Sequence, residues 1–240
     1  MKGLLYRDFY LGKKTYILHG MIALAMAIFG ILVGVSSHCG NLVNYADNNP
    51  GSFEIIIKIF MYLPIFMLVI AVQGISQNIC SDYKAGWMIY EYNLPVKDVV
   101  KVGAHYTSGL IIVAAGMVTG ALYMLLVSQI SGVELVKGDF IKMLLIGFIG
   151  LVQIAFFIPV SLRVKTMKAV STIAVVIICV IWMVAFVQLG IVEETELFVK
   201  VAKDIKLFKN IIKNYWMVII PAMLATSFLC SIKVVKAKRL

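Results

Sequence analysis

Six long apolar runs decide what this chain can fold into: Tyr16–Val35, Ile55–Ile75, Val102–Ile130, Phe140–Val160, Ala169–Gly190 and Tyr215–Ile232. Each is close to or above the roughly 20 residues that a helix needs to cross a hydrocarbon core. A backbone inside that core has no water to bond, so each run must satisfy its own N–H and C=O groups by becoming helical. The predicted fold is all-α: a single polytopic membrane domain over residues 1–240 with six transmembrane helices. Composition agrees. Hydrophobic residues make up 62% and charged residues only 14%, and the mean hydropathy of +0.97 lies far from that of a soluble domain.

A formal net charge of +10 would suit a nucleic-acid binder. The basic residues flank the apolar runs, however, as the positive-inside rule requires, so membrane lipid is an expected partner and nucleic acid is not. Alternating the loops puts fourteen Lys and Arg on one side: Lys2, Arg7, Lys13, Lys14, Lys84, Lys97, Lys101, Arg163, Lys165, Lys168, Lys233, Lys236, Lys238 and Arg239. The other side holds seven: Lys137, Lys142, Lys200, Lys203, Lys206, Lys209 and Lys213. The richer side is expected to be cytoplasmic, with both termini on it. Lys58 lies within about a turn of a loop and can snorkel.

Several segments carry finer expectations. In Met1–Thr15, Leu4, Leu5 and Phe9 can share one helix side with Lys2, Arg7 and Asp8 elsewhere, which predicts an amphipathic interfacial helix over 1–15 before the first span. Pro64 is expected to kink the second span. Gly30 with Gly34, and Gly116 with Gly120, have the spacing that permits close helix approach. Ser36–Glu54 reads as an exposed loop. In Glu193–Lys213, Leu197, Val201, Ile205, Phe208 and Ile212 recur at helical spacing, which predicts an external helix before the last span. It either packs the sixth span at the interface or contacts cargo at the exit.

The chemistry of a self-sufficient enzyme or pump is missing. The four cysteines (Cys39, Cys80, Cys179 and Cys230) are scattered, and His38-Cys39 alone reads as polar surface, so no metal site is expected. Neither a zinc-protease nor a nucleophile-elbow motif occurs, and no catalytic residues are assigned. Gly12-Lys13-Lys14-Thr15 mimics the end of a phosphate-binding loop, but Arg7 stands where the first glycine is required. The predicted spans hold no Asp or Glu, the groups on which proton-driven carriers depend. Gln73, Gln153 and Gln188 either line a path or bond between helices. If the chain moves something, the energy must come from another subunit.

The densest mixture of charge, aromatics and turn chemistry away from the termini is Ile79–Tyr106. Asp82, Lys84, Glu91, Lys97, Asp98 and Lys101 could not all lie in hydrocarbon, where each charge costs about 2.5–3.5 kcal/mol even on a lenient scale. From Tyr83 to Tyr92 only Gly86 disfavours a helix, Trp87, Tyr90 and Tyr92 give interfacial character, and Leu94-Pro95 forces a corner before the third span. An acidic residue, a Lys, a Gly, a short helix, then Leu-Pro-Val and a basic residue is similar to the first cytoplasmic loop of ABC type-2 exporter permeases. The matching residues are Asp82, Lys84, Gly86, Leu94, Pro95, Val96, Lys97 and Tyr106; where many members have Lys-Tyr, this chain has His105-Tyr106.

That resemblance implies a type V ABC exporter-like permease in a bacterial cytoplasmic membrane, with a cytoplasmic coupling helix that docks on a separate nucleotide-binding ATPase subunit. ATP and Mg would sit on that partner, with no cofactor in this chain. It also implies a second permease copy or paralogue, meeting across the first and fifth spans. The ATPase-coupling residues would be Asp82, Lys84, Gly86, Trp87, Tyr90, Glu91, Leu94 and Pro95, with Trp87 and Tyr90 as exposed anchors and Asp82 and Glu91 orienting the dock. Short members of the family export amphipathic peptides, the cargo expected here; others move drugs or lipids. The alternative from another class is an ATPase-free membrane scaffold or sensor. The charge split predicts that cysteines placed at Asn48 or Thr195 react with impermeant reagents in intact cells while those at Ala85 or Ala237 do not. The reverse labelling pattern contradicts the topology.

Overall fold

The computed structural model describes residues 2–39, 42–93, 95–164 and 218–238, less a few side chains such as those of His38 and Tyr92. The described chain is helical throughout: α1 (Lys2–Cys39), α2 (Val43–Asn48), α3 (Pro50–Ile70), α4 (Gln73–Lys84), α5 (Trp87–Asn93), α6 (Asp98–Ser131), α7 (Lys137–Val164) and α8 (Val218–Ala237). Among the described residues five stretches are long and apolar enough to cross a membrane: Lys2–Ser37, Pro50–Lys84, Asp98–Ser131, Lys137–Val164 and Val218–Ala237. The chain is a multi-pass membrane protein, all-α among the described residues. The fifth expected span and the external helix of 193–213 lie outside the described residues.

Two expectations need correction. No separate interfacial helix precedes the first span, because α1 runs unbroken from Lys2 to Cys39. Its charged face has no need to turn toward water: Asp8 is buried in the protein, while Tyr6, Tyr10 and Leu11 point outward. The second span keeps Pro64 inside α3, and a break that no sequence signal marks comes at Ala71–Val72. There the backbone bonds tighten to three-residue steps, Val72 to Val69 and Ile75 to Val72. The loop expected over Ser36–Glu54 contains α2, and α3 begins at Pro50, where the missing N–H costs nothing in a first turn.

α3 lies against both α1 and α6, and α7 packs on α6 and α4. Two apolar clusters divide the bundle lengthwise. One joins Ile75, Ile79, Val102, Ile154 and Leu162 around Met88 of α5; the other joins Ile57, Met61, Ile65, Met124 and Val127 toward the far end. Gly120 makes the second cluster possible, since a Cβ there would stand 2.7 Å from Ile65. The small-residue spacing of α6 thus serves a contact within the chain. Outward, Ile17, Leu18, Met21 and Leu24 of α1 and Val118 and Leu122 of α6 are exposed, as a surface facing lipid requires.

At the far end, buried Asp139 ties α3 to the start of α7. It accepts hydrogen bonds from the Tyr62 hydroxyl at 2.6 Å and the Val136 N–H at 3.1 Å, and Lys58 reaches it at 3.6 Å. Lys58 also pairs with Glu54, so it is neutralised by carboxylates. At the α5 end, α8 closes on α7 running in the same direction: Ser227 donates to the Ala155 carbonyl and Lys238 to that of Leu162. Gly120→Val should lower stability by about 1–3 kcal/mol through overpacking, read as an earlier thermal transition in detergent. Ile65→Ala in the same chain should recover part of the loss, and no recovery would mean that Gly120 does not meet Ile65.

Candidate functional site: an ionic junction beneath an exposed aromatic face

The site begins where α4 ends. Gly86 adopts φ 71°, a left-handed conformation that costs a glycine little, and the chain turns there into α5. The expected helix over 83–92 is therefore two elements: Asp82 and Lys84 close the helix of the second span, and Trp87, Tyr90 and Glu91 lie on the short α5. Leu94 lies outside the described residues; Pro95 is exposed just after it. Lys97 is extended, with ψ 137°, and α6 starts at Asp98. Pro95 and the residues beside it keep the link between α5 and α6 short and non-helical.

α5 presents two faces, set by residues three apart on a helix. Trp87 is 44% exposed and Tyr90 67%, with ring centroids 6.0 Å apart. On the opposite side Met88 is 2% exposed and Glu91 3%. Met88 enters the apolar cluster of α4, α6 and α7. Glu91 enters a polar junction that the sequence reading did not foresee.

Arg7, from the second turn of α1, is the centre of that junction. One guanidinium nitrogen, Nη1, donates to Glu91 Oε2 at 2.7 Å, and the other, Nη2, is hydrogen-bonded to Asp82 Oδ2. A planar fork can serve two carboxylates at once, which a point-charge ammonium cannot do with the same geometry. The guanidinium carbon also lies 5.3 Å from the Trp87 ring centroid, within cation–π range. Next to Arg7, Asp8 accepts from His105 Nδ1 at 2.8 Å and from the Ser108 hydroxyl at 3.2 Å, while its backbone carbonyl accepts from Asn78 at 2.9 Å. His105 Nε2 stands 4.0 Å from Glu91 Oε1, and Lys101 donates to the Glu91 backbone carbonyl. Residues from α1, α4, α5 and α6 thus meet in one hydrogen-bonded group.

Asp82 and Glu91 were expected on the outward face, orienting a docking partner; both are buried and turned toward Arg7. The physical reason is that Arg7 is itself carried into this site by α1, and a buried guanidinium left without carboxylate partners would cost several kcal/mol. Trp87 and Tyr90 are exposed as expected, and Lys84, Pro95 and Lys97 share the outer surface of the loop. Tyr106 takes no part in the junction: it packs edge-on to Phe228 and shares hydrogen bonds with Ser227 and Ser231 of α8. A second fastening lies on α4, where the Tyr83 hydroxyl donates to the Leu162 carbonyl at 2.7 Å and receives a bond from Lys238 at 2.8 Å. Of the candidate glutamines, Gln73 opens α4, Gln153 Oε1 is buried without a partner among the described residues, and Gln188 lies outside them; Gln77, one turn beyond Gln73, accepts from Thr15.

A family model described as ABC-2 family transporter protein matches residues 3–236. The chain belongs to the ABC-2 transporter family. It is that family's membrane component, a permease, and not itself an ATPase. No curated protein and no solved structure matches it. Nothing in the described residues resembles a catalytic or metal centre, and no group of three or more His, Cys, Asp and Glu side chains there could hold a metal ion.

The missed residues of the site are Arg7, Asp8, Asn78, Lys101, His105 and Ser108. One signal was present for two of them. Arg7-Asp8 is an adjacent opposite-charge pair close to a long apolar run, and such groups need partners if they are not at the surface.

Proposed function

We propose that this permease is one half of an ATP-driven exporter, and that a separate ATPase subunit docks on the outward face of α5. The observation that carries the reading is the division of α5 into an exposed aromatic pair and a buried, ion-paired back. A loop that served only to connect two spans would gain nothing from a helix fixed so firmly on one side. Large aromatic side chains presented on a rigid support are the residues that dominate interface energetics. Lys84 and Lys97, flanking the pair, would steer an acidic rim on the partner. ATP and Mg would bind on that partner.

Several finer assignments rest on the sequence and the family. The α5 end, to which Arg7, Lys84, Lys97, Lys101, Arg163 and Lys238 converge, is taken as cytoplasmic in a bacterial cell membrane. Six spans follow if 169–190 crosses the bilayer, which the parallel course of α7 and α8 supports. A second copy or paralogue completes the pathway, and the exposed apolar face of α1 is available to it. Cargo is assigned as an amphipathic peptide from the resemblance to short exporting members.

Trp87→Ala and Tyr90→Ala should leave the permease inserted and folded. Each should weaken co-purification of the ATPase subunit, and together they should abolish it; an interfacial hot-spot aromatic is worth about 2 kcal/mol or more, some thirtyfold in Kd. If the double variant inserts poorly yet binds the ATPase normally, the pair anchors the loop to lipid and the docking face lies elsewhere.

A further inference from the structure

We infer that Arg7 is a positioning residue through which movement of the docked helix enters α1 as well as α6. The inference rests on the docking reading above. It adds a route that the loop's covalent path does not provide.

α5 leads into α6 through residues 94–97, so motion of α5 must reach the third span along the chain. Arg7 supplies a second connection of a different kind. Its guanidinium holds the end of α4 through Asp82 and the buried face of α5 through Glu91, and touches the back of exposed Trp87. Because Trp87 is both a surface residue and a neighbour of Arg7, displacement of its ring by a partner is felt at once by the guanidinium. The adjacent residue, Asp8, is fixed to α6 by His105 and Ser108. α1 is one uninterrupted helix of 38 residues. At 1.5 Å per residue it extends more than 50 Å, so a tilt imposed at Arg7 is carried to the opposite end without an intervening hinge.

The geometry also explains why a merely cohesive role fits less well. A buried ion pair is no more stabilising than well-packed apolar side chains of the same volume. What it does provide is directional holding between α1 and α5, which share little other packing. Met88 already fills the apolar share of that task for α5 against α4, α6 and α7. Arg7 is the residue that ties α5 to α1.

Removing Arg7 alone would strand two buried carboxylates and could prevent folding. The neutral triple Arg7→Gln/Asp82→Asn/Glu91→Gln avoids this, since it removes the charges and keeps similar volumes. Spin labels at Val35 on α1 and at Leu126 on α6, each paired with Leu229 on α8, are all at exposed positions. The full-length permease is reconstituted in nanodiscs with its ATPase, with one labelled copy per particle, and distances are compared without nucleotide and with ATP plus vanadate. In the parent both distances should shift. In the triple variant the ATPase, added to saturation, should still bind through Trp87 and Tyr90 and the Leu126 distance should still shift, but the Val35 shift should fall well below it, to what Asp8 still carries from α6. Arg7→Lys, which keeps the charge without the fork, should give an intermediate Val35 shift. A full Val35 shift in the triple variant, or equal loss at both positions, overturns the inference. Failure of the parent permease to bind the ATPase at all overturns the docking reading, and the inference with it.

Discussion

One guanidinium sets the geometry of this permease's most distinctive end. Arg7 sits in a largely buried site facing two carboxylates, and each of the three charges would be costly there without the others. The compensation is mutual, so the arrangement is held as a unit: α1 cannot shift along its axis, nor α5 lift from the bundle, without unpairing a buried charge. Asp8 and His105 extend the same logic to α6. Four helices that differ in length and apolar pattern are thus brought into one register by groups that occupy little of their surface.

This fastening also explains how a helix as short as α5 can be a recognition element. Trp87–Asn93 covers seven residues, too few to persist as an isolated helix in water. Its structure has to come from tertiary contacts, which Met88 and Glu91 supply on one side, with Arg7 also lying against Trp87. The outward side is then free to present Trp87 and Tyr90 at little additional ordering cost on binding, because the backbone beneath them is already fixed. The left-handed turn at Gly86 and the corner near Pro95 delimit the segment at both ends, so that α5 can move as one body.

The sequence reading was strongest where a physical constraint acts on long runs of residues. Hydropathy alone identified the helices that became α1, α3, α6, α7 and α8, and the Leu-Pro-Val stretch with its acidic residue, lysine and glycine pointed to the family that the whole chain then matched. It failed where partners are distant in sequence. Arg7 and Glu91 are 84 residues apart, and Asp8 and His105 are 97 apart; no local pattern announces such pairs. The charged residues of 1–15 and 79–106 were each read as evidence for a wet surface because an unpaired charge belongs there. Arg7 and Asp8 of the first instead pair with Asp82, Glu91 and His105 of the second inside the protein, while Lys2, Lys13, Lys14, Lys84 and Lys97 stay exposed. Asp139, too, reads as a loop residue in sequence, yet Tyr62 and Lys58 enclose it. Pro64 lies within α3, and the interruption of the second span comes seven residues later at Ala71–Val72, where no proline stands.

The central claim is that α5 is a pre-fixed docking element, held from behind by Arg7 through Glu91. Backbone hydrogen exchange over residues 87–93 in the permease alone, without its ATPase, tests it most directly. The account predicts slow exchange across this segment in the parent protein, comparable with the adjoining turns of α4 and α6, and markedly faster exchange in Arg7→Gln/Asp82→Asn/Glu91→Gln while the rest of the bundle stays protected. Fast exchange in the parent, as from an unfastened loop, would contradict it.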